Sequence, residues 1–100
     1  MVRHIVMWSL KDEYSEAARQ KILVEAKAGL ESLKEKISGI VDLRVIIAGL
    51  NGSNVDILME CTFADKISYE RYKINHYHID VTTEKIRPFV TEKNSMDYET

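Results

Sequence analysis

The chain alternates apolar and polar positions in three places and repeats apolar positions at helical spacing in two. Val2 to Leu10 reads as a first strand, with His4, Val6, Trp8 and Leu10 on one face and Ile5, Met7 and Ser9 on the other. Both faces are mostly apolar, the mark of a strand covered on both sides. Ser15 is a good helix N-cap and Glu16 suits a first turn. Ala18, Ile22, Ala26, Leu30, Leu33 and Ile37 then recur every three or four residues. That spacing predicts one amphipathic helix of about six turns, closed by Gly39.

Val41, Leu43, Val45 and Ile47 alternate as a second strand, with a mixed opposite face of Asp42, Arg44, Ile46 and Ala48. A turn-rich loop, Gly49 to Asn54, leads to a third strand in which Val55, Ile57, Met59, Cys61 and Phe63 share a face. Asp65 caps a short helix from Lys66 to about Ile74. A second helical piece runs from about His76 to Val90, with Ile79, Thr82, Thr83 and Ile86 on its inner face and Pro88 marking its end. Thr91 to Tyr98 is a weak last strand, because Glu92-Lys93-Asn94-Ser95 is poor strand material.

The order is strand, helix, strand, strand, helix, strand over a single domain, residues 1–100. This is an α+β, ferredoxin-like βαββαβ arrangement with an antiparallel sheet. It places its helices on one face of the sheet. The apolar second face of the first and third strands then needs a cover, and the same face of a second copy is the simplest one. The pattern therefore predicts a homodimer, with an apolar space beside the sheet as a natural small-molecule site.

Composition narrows the function classes. The chain has 100 residues, 45% hydrophobic and 30% charged, with a formal net charge of −2. That is globular composition, and no basic stripe with interleaved aromatics points to nucleic acid. Cys61 is the lone cysteine, which excludes an internal disulfide and fits a cytoplasmic setting. Its apolar surroundings favour a buried, inert thiol. No apolar run is long enough for a signal peptide or a membrane span, so no membrane partner is expected.

The chemistry-bearing residues cluster between Tyr72 and Val81, which holds two of the three histidines. His76 and His78 invite a metal reading, but positions two apart on a helix do not face each other, and no third ligand has a fixed spacing to them. No metal is expected. Asp80 and Glu84 read as a solvated helix face. His4 stands beside Val6 and Trp8 on an apolar strand, where a hydrogen-bonded core histidine is the plainer reading. Tyr69, Tyr77 and Phe63 read as core or cavity-wall aromatics.

Several segments resemble the stress-responsive A/B barrel domain family of dimeric α+β barrels. They are His4-Ile5-Val6-Met7-Trp8-Ser9-Leu10-Lys11-Asp12, Lys36 to Ile40, Tyr72 with Asn75-His76-Tyr77-His78, Ile86-Arg87-Pro88-Phe89-Val90 and Asp97-Tyr98-Glu99. The family includes plant stress-induced oligomers and olivetolic acid cyclase, a lyase-type polyketide cyclase that performs an aldol closure without a cofactor. The cyclase's tyrosine and histidine, six positions apart, fall by motif on Tyr72 and His78. The resemblance thus implies His78 as a base and Tyr72 as an oxyanion donor, with no cofactor. His4, Val6, Trp8 and Phe63 are the expected substrate-binding wall.

The usual family segment is Tyr-x-x-His-Pro-x-His. Here Asn75 stands at the first His and His76 at the Pro, and the last strand is more polar than the family's. Two other readings accompany the cyclase-like one. One is a non-catalytic, stress-related homo-oligomer in which Tyr72 and His78 only fasten the segment to the sheet. The other is a cofactor-free monooxygenase using Trp8, Asn75 and His76.

Overall fold

The computed structural model describes residues Met1–Thr100. Strand β1 (Val2–Leu10) is followed by helices α1 (Glu16–Glu31) and α2 (Leu33–Lys36), then strands β2 (Ile40–Ile46) and β3 (Ile57–Phe63). Helices α3 (Lys66–Ile74) and α4 (His76–Val81), a π-helical turn (Thr82–Ile86) and strand β4 (Val90–Glu99) complete the chain. The four strands form one sheet in the order β2-β3-β1-β4, every neighbour antiparallel. This is the expected ferredoxin-like βαββαβ topology.

The alternation read in β1 sets the two faces of the sheet. Val6, with its cross-strand neighbours Met59 and Val45, lies on the inner face and is 1% exposed. Ile22, Leu23, Ala26, Leu30, Leu33 and Ile37 close that face from the helices. The outer face carries Ile46, Leu58 and Met7 in one cross-strand row and Arg44, Glu60, Ile5 and Met96 in the next. Ile5, Met7 and Leu58 are only half-buried, and Met96 is 69% exposed. The weak last strand forms as β4. Beyond Val90 it is exposed along its whole length, yet it pairs with β1 from Val90 to Glu99. Its polar composition is overridden by the ladder it completes.

Four local boundaries differ from the hydrophobic pattern, each for a definable reason. The long helix is interrupted at Ser32, whose hydroxyl donates to the Gly29 carbonyl at 2.6 Å. Such back-bonding competes with the helical ladder. The register of β2 shifts between Ile40 and Asp42, which turns Val41 outward. A bulge of this kind breaks the period of two. Val55 and Asp56 precede β3 instead of opening it. The Asp56 carboxylate accepts from the Leu10 backbone N–H and the Arg19 guanidinium, both at 2.8 Å, and so ties the loop down.

The predicted helix to Val90 stops early. Its last turn is π-helical, with the Arg87 N–H donating to the Thr82 carbonyl at 2.8 Å. The wider turn shifts the phase of the helix. Thr82 and Ile86 stay buried, while Ile79 and Thr83 face outward.

Gly39 supports the junction between α2 and β2. Its φ of +92° lies in the left-handed region, and a Cβ there would fall 2.5 Å from the Ser68 side chain. Its carbonyl also accepts from the Ala64 N–H at 3.0 Å. Gly52 shares the positive φ but faces open space. We therefore expect Gly39→Ala to lower stability by roughly 2–4 kcal/mol, strain and clash together, and Gly52→Ala by only about 1 kcal/mol. Urea denaturation of both variants checks the ranking, and equal losses would contradict it.

Candidate active site

A cavity of about 230 Å³ lies on the inner face, between the sheet and the α3–α4 segment. This is small beside the roughly 300–1,000 Å³ of common ligand sites. Strand β1 supplies His4, Val6 and Trp8; α1 supplies Leu30 and β3 supplies Met59. Tyr72 comes from α3, His78 from α4, and Thr82 and Ile86 from the π-turn. Arg87, Val90 and Lys93 complete the wall.

Tyr72 and His78 meet across the break between α3 and α4. Their ring centroids are 4.2 Å apart. Two helices are needed for this, because residues six apart on one helix would diverge. The break is made by Asn75, which stays extended and caps α4 through its side chain, accepting from the Tyr77 N–H at 2.9 Å. His76 then occupies the first helical position, where proline is favoured in general. Asparagine capping thus performs the turn that a proline would enforce, and the departure from the family pattern leaves His78 facing Tyr72.

The two groups differ in their electrostatics. Tyr72 is 1% exposed, and its hydroxyl is buried with no hydrogen-bond partner. Burial drives its pKa well above the usual phenol range, so the proton stays on. The His78 Nδ1–H donates to the Lys73 carbonyl at 3.3 Å, which leaves Nε2 as the basic nitrogen. Burial lowers the His78 pKa, and the nearby His4, Lys93 and Arg87 add to the lowering. A neutral imidazole beside a protonated phenol is a base and a donor side by side.

On the strand side, with its ring edge-on to Tyr72 at a centroid distance of 6.1 Å, His4 is held more tightly than the sequence implied. Its Nδ1–H donates to Asp97 Oδ1 at 2.5 Å, and the Tyr69 hydroxyl donates to Asp97 Oδ2 at 2.6 Å. The β1–β4 register sets His4 directly opposite Asp97. Burial lowers the His4 pKa, while the Asp97 hydrogen bond and charge oppose that shift. For Asp97 itself, burial raises the pKa, but hydrogen bonds from His4 and Tyr69 bring it below the ordinary value.

Of the other sequence candidates, Val6 and Trp8 line the cavity. The expected binding-wall residue Phe63 is instead fully buried: it packs at a tilt behind Tyr72, with centroids 4.9 Å apart, and does not face the cavity. Asn75 is engaged in capping and His76 is exposed against the Tyr77 ring, so neither meets Trp8. Cys61 is buried, and desolvation pushes its thiol up to about 12. Periodicity did not single out Asp97, Tyr69, Arg87 or Lys93. Asp97 becomes findable once the strand order pairs the last strand with the first. Arg87 and Lys93 look like ordinary surface charges in the sequence.

Comparison with known proteins agrees with this architecture. Residues 2–100 match the family described as Stress Responsive A/B Barrel Domain, and the chain belongs to that family. A dimeric Bacteroides fragilis protein of unknown function with a ferredoxin-like fold superposes with a TM-score of 0.90 at 22% identity, covering 99% of this chain and 95% of its own. The hydroxynitrile lyase of Passiflora edulis gives 0.74 at 16% identity, over 97% and 90% of the two chains. An antibiotic biosynthesis monooxygenase gives 0.76 at 9% identity, over 100% and 98%. At these identities the likeness is one of fold. No curated protein sequence matches the chain. No helix is long and apolar enough to cross a membrane.

The two cavity histidines generate a pH prediction. Both have folded pKa values below 6.5, so near that pH the unfolded chain binds more protons and stability rises with pH. Their contribution is complete above 6.5 and declines as the pH falls from there toward the folded values. Urea midpoints should drop between about pH 7.5 and about pH 5.5, and His78→Phe should flatten the drop. In Asp97→Asn the His4 pKa should fall further, because the opposing carboxylate is gone. A titration of the ring protons by NMR reads this directly, and an unchanged His4 would contradict the assigned hydrogen bond.

Proposed function

We propose that the protein binds a small, largely apolar carbonyl compound in the cavity and moves a proton on it without a cofactor. His78 takes the proton beside the carbonyl through Nε2, and the Tyr72 hydroxyl donates to the oxygen as negative charge builds. His4, held by Asp97 beside the Tyr72 ring, binds from the strand side with Val6 and Trp8. Phe63 keeps the Tyr72 ring in place from behind.

The observation that carries this reading is the Tyr72 hydroxyl. A buried hydroxyl with no partner costs about 1–3 kcal/mol, and such groups need an explanation. The hydroxyl oxygen has no exposed surface, so a carbonyl becomes its acceptor once the ring swings toward the cavity. A fastening role predicts the opposite, a hydroxyl bonded to the scaffold. That a hydroxynitrile lyase has the same fold supports a lyase-type site on it.

The protein also acts, on this reading, as a homodimer in which the outer face of the sheet meets its copy. The half-buried Ile5, Met7 and Leu58 and the exposed Met96 support that pairing. Light scattering should give about twice 11.6 kDa, and a monomer would defeat the pairing.

Two measurements test the chemistry. Tyr72→Phe should leave unfolding stability unchanged or slightly raised, because no protein hydrogen bond is lost. Small ketones and phenols that raise the melting temperature of the native protein should bind the variant about 2- to 10-fold more weakly. Deuterium wash-in beside the carbonyl of a bound ketone should fall by roughly 10²–10⁴-fold in His78→Ala. A screen without any thermal shift, or exchange unaffected by His78→Ala, would sink the enzyme reading and favour the non-catalytic oligomer.

A further inference from the structure

The cavity wall contains no carboxylate. It does contain two full cations, Arg87 after the π-turn and Lys93 on β4. Neither forms an ion pair with an Asp or Glu; Arg3, Lys11, Lys21, Lys36 and Arg71 are unpaired as well, but only Arg87 and Lys93 line the cavity. Both are exposed and also line the cavity, so they stand at its solvent side, while Val6, Leu30, Met59 and Ile86 form its buried, apolar depth. Asp97 turns its carboxylate to His4 and Tyr69 and does not line the cavity.

We propose that the ligand is a carboxylic acid, with its carboxylate bound between Arg87 and Lys93 and its apolar body and carbonyl directed inward to Tyr72 and His78. The inference rests on the proposed small-molecule reading and names the ligand's charge and polarity. Two cations at the solvent side of a largely apolar cavity without a carboxylate create a field that an anion satisfies and a neutral analogue does not. Arg87 offers a planar fork suited to two carboxylate oxygens, and Lys93 adds a point charge. The reach of the two charges agrees with this placement. The Lys93 and Arg87 charges both act on His78, and Lys93 also acts on His4. The cations therefore lie near the groups assigned to the reaction. A carboxylate placed between them also offsets their depression of His78, so acid binding raises that histidine's proton affinity and makes it the stronger base.

Calorimetric titration of the intact protein with 4-oxo-4-phenylbutanoate, its methyl ester and inorganic phosphate tests the assignment. NMR of the His78 ring should accompany it and locate each ligand in the cavity. The acid should bind at least about tenfold more tightly than the ester, a gap of about 1.4 kcal/mol. Added salt should weaken the acid and not the ester. In Lys93→Gln combined with Arg87→Gln, both surface changes, the preference should shrink to within about twofold while ester binding is retained. Equal affinities for acid and ester would overturn the carboxylate assignment and leave the small-molecule reading intact. So would a preference that survives the double variant. Phosphate binding as tightly as the acid would show a bare anion site and overturn the assignment as well. If neither acid nor ester perturbs His78 at millimolar concentration, the small-molecule reading falls and takes this inference with it.

Discussion

Everything in the site depends on β1 lying between β3 and β4. One strand thereby serves three roles. Its inner positions build the core with Met59 and Val45, its His4 becomes a cavity wall, and its far edge holds a strand that could not persist alone. Strand β4 buries almost nothing, so the backbone ladder to β1 and the His4–Asp97–Tyr69 network must keep it in place. The network links a central strand, an edge strand and helix α3 through one carboxylate. Moving any of the three would leave a buried or half-buried polar group unsatisfied.

The fold was legible where hydrophobic burial alone dictates the backbone. Val2 to Leu10 and Ile57 to Cys61 bury alternate residues, and their sequences alternate accordingly. It was illegible where one hydrogen bond changes the phase. The bulge at Val41 and the wide turn after Val81 are single-residue events with no compositional mark. β4 was the reverse case, a real strand with poor strand residues, because pairing with β1 outweighs propensity.

The site divides in the same way. His4, Val6 and Trp8 could be placed together because they share one face of one strand. Tyr72 and His78 could not be joined by any helical period, since two helices and an asparagine cap bring them together. Only the family motif paired them. The departures from that motif point in different directions. Asn75 preserves the turn by another device, whereas the polar last strand changes the site, because it brings Lys93 to the opening.

Cys61 brings a different consequence. Its thiol sits on the inner face of β3, in register with His4 on one side and Leu43 on the other. Burial leaves it 1% exposed and almost wholly protonated at neutral pH, and only the thiolate reacts rapidly. Alkylation of this single sulfur therefore requires the sheet and its helical cover to part. The rate of its modification is a built-in clock for that opening, read from one native atom without any engineered probe.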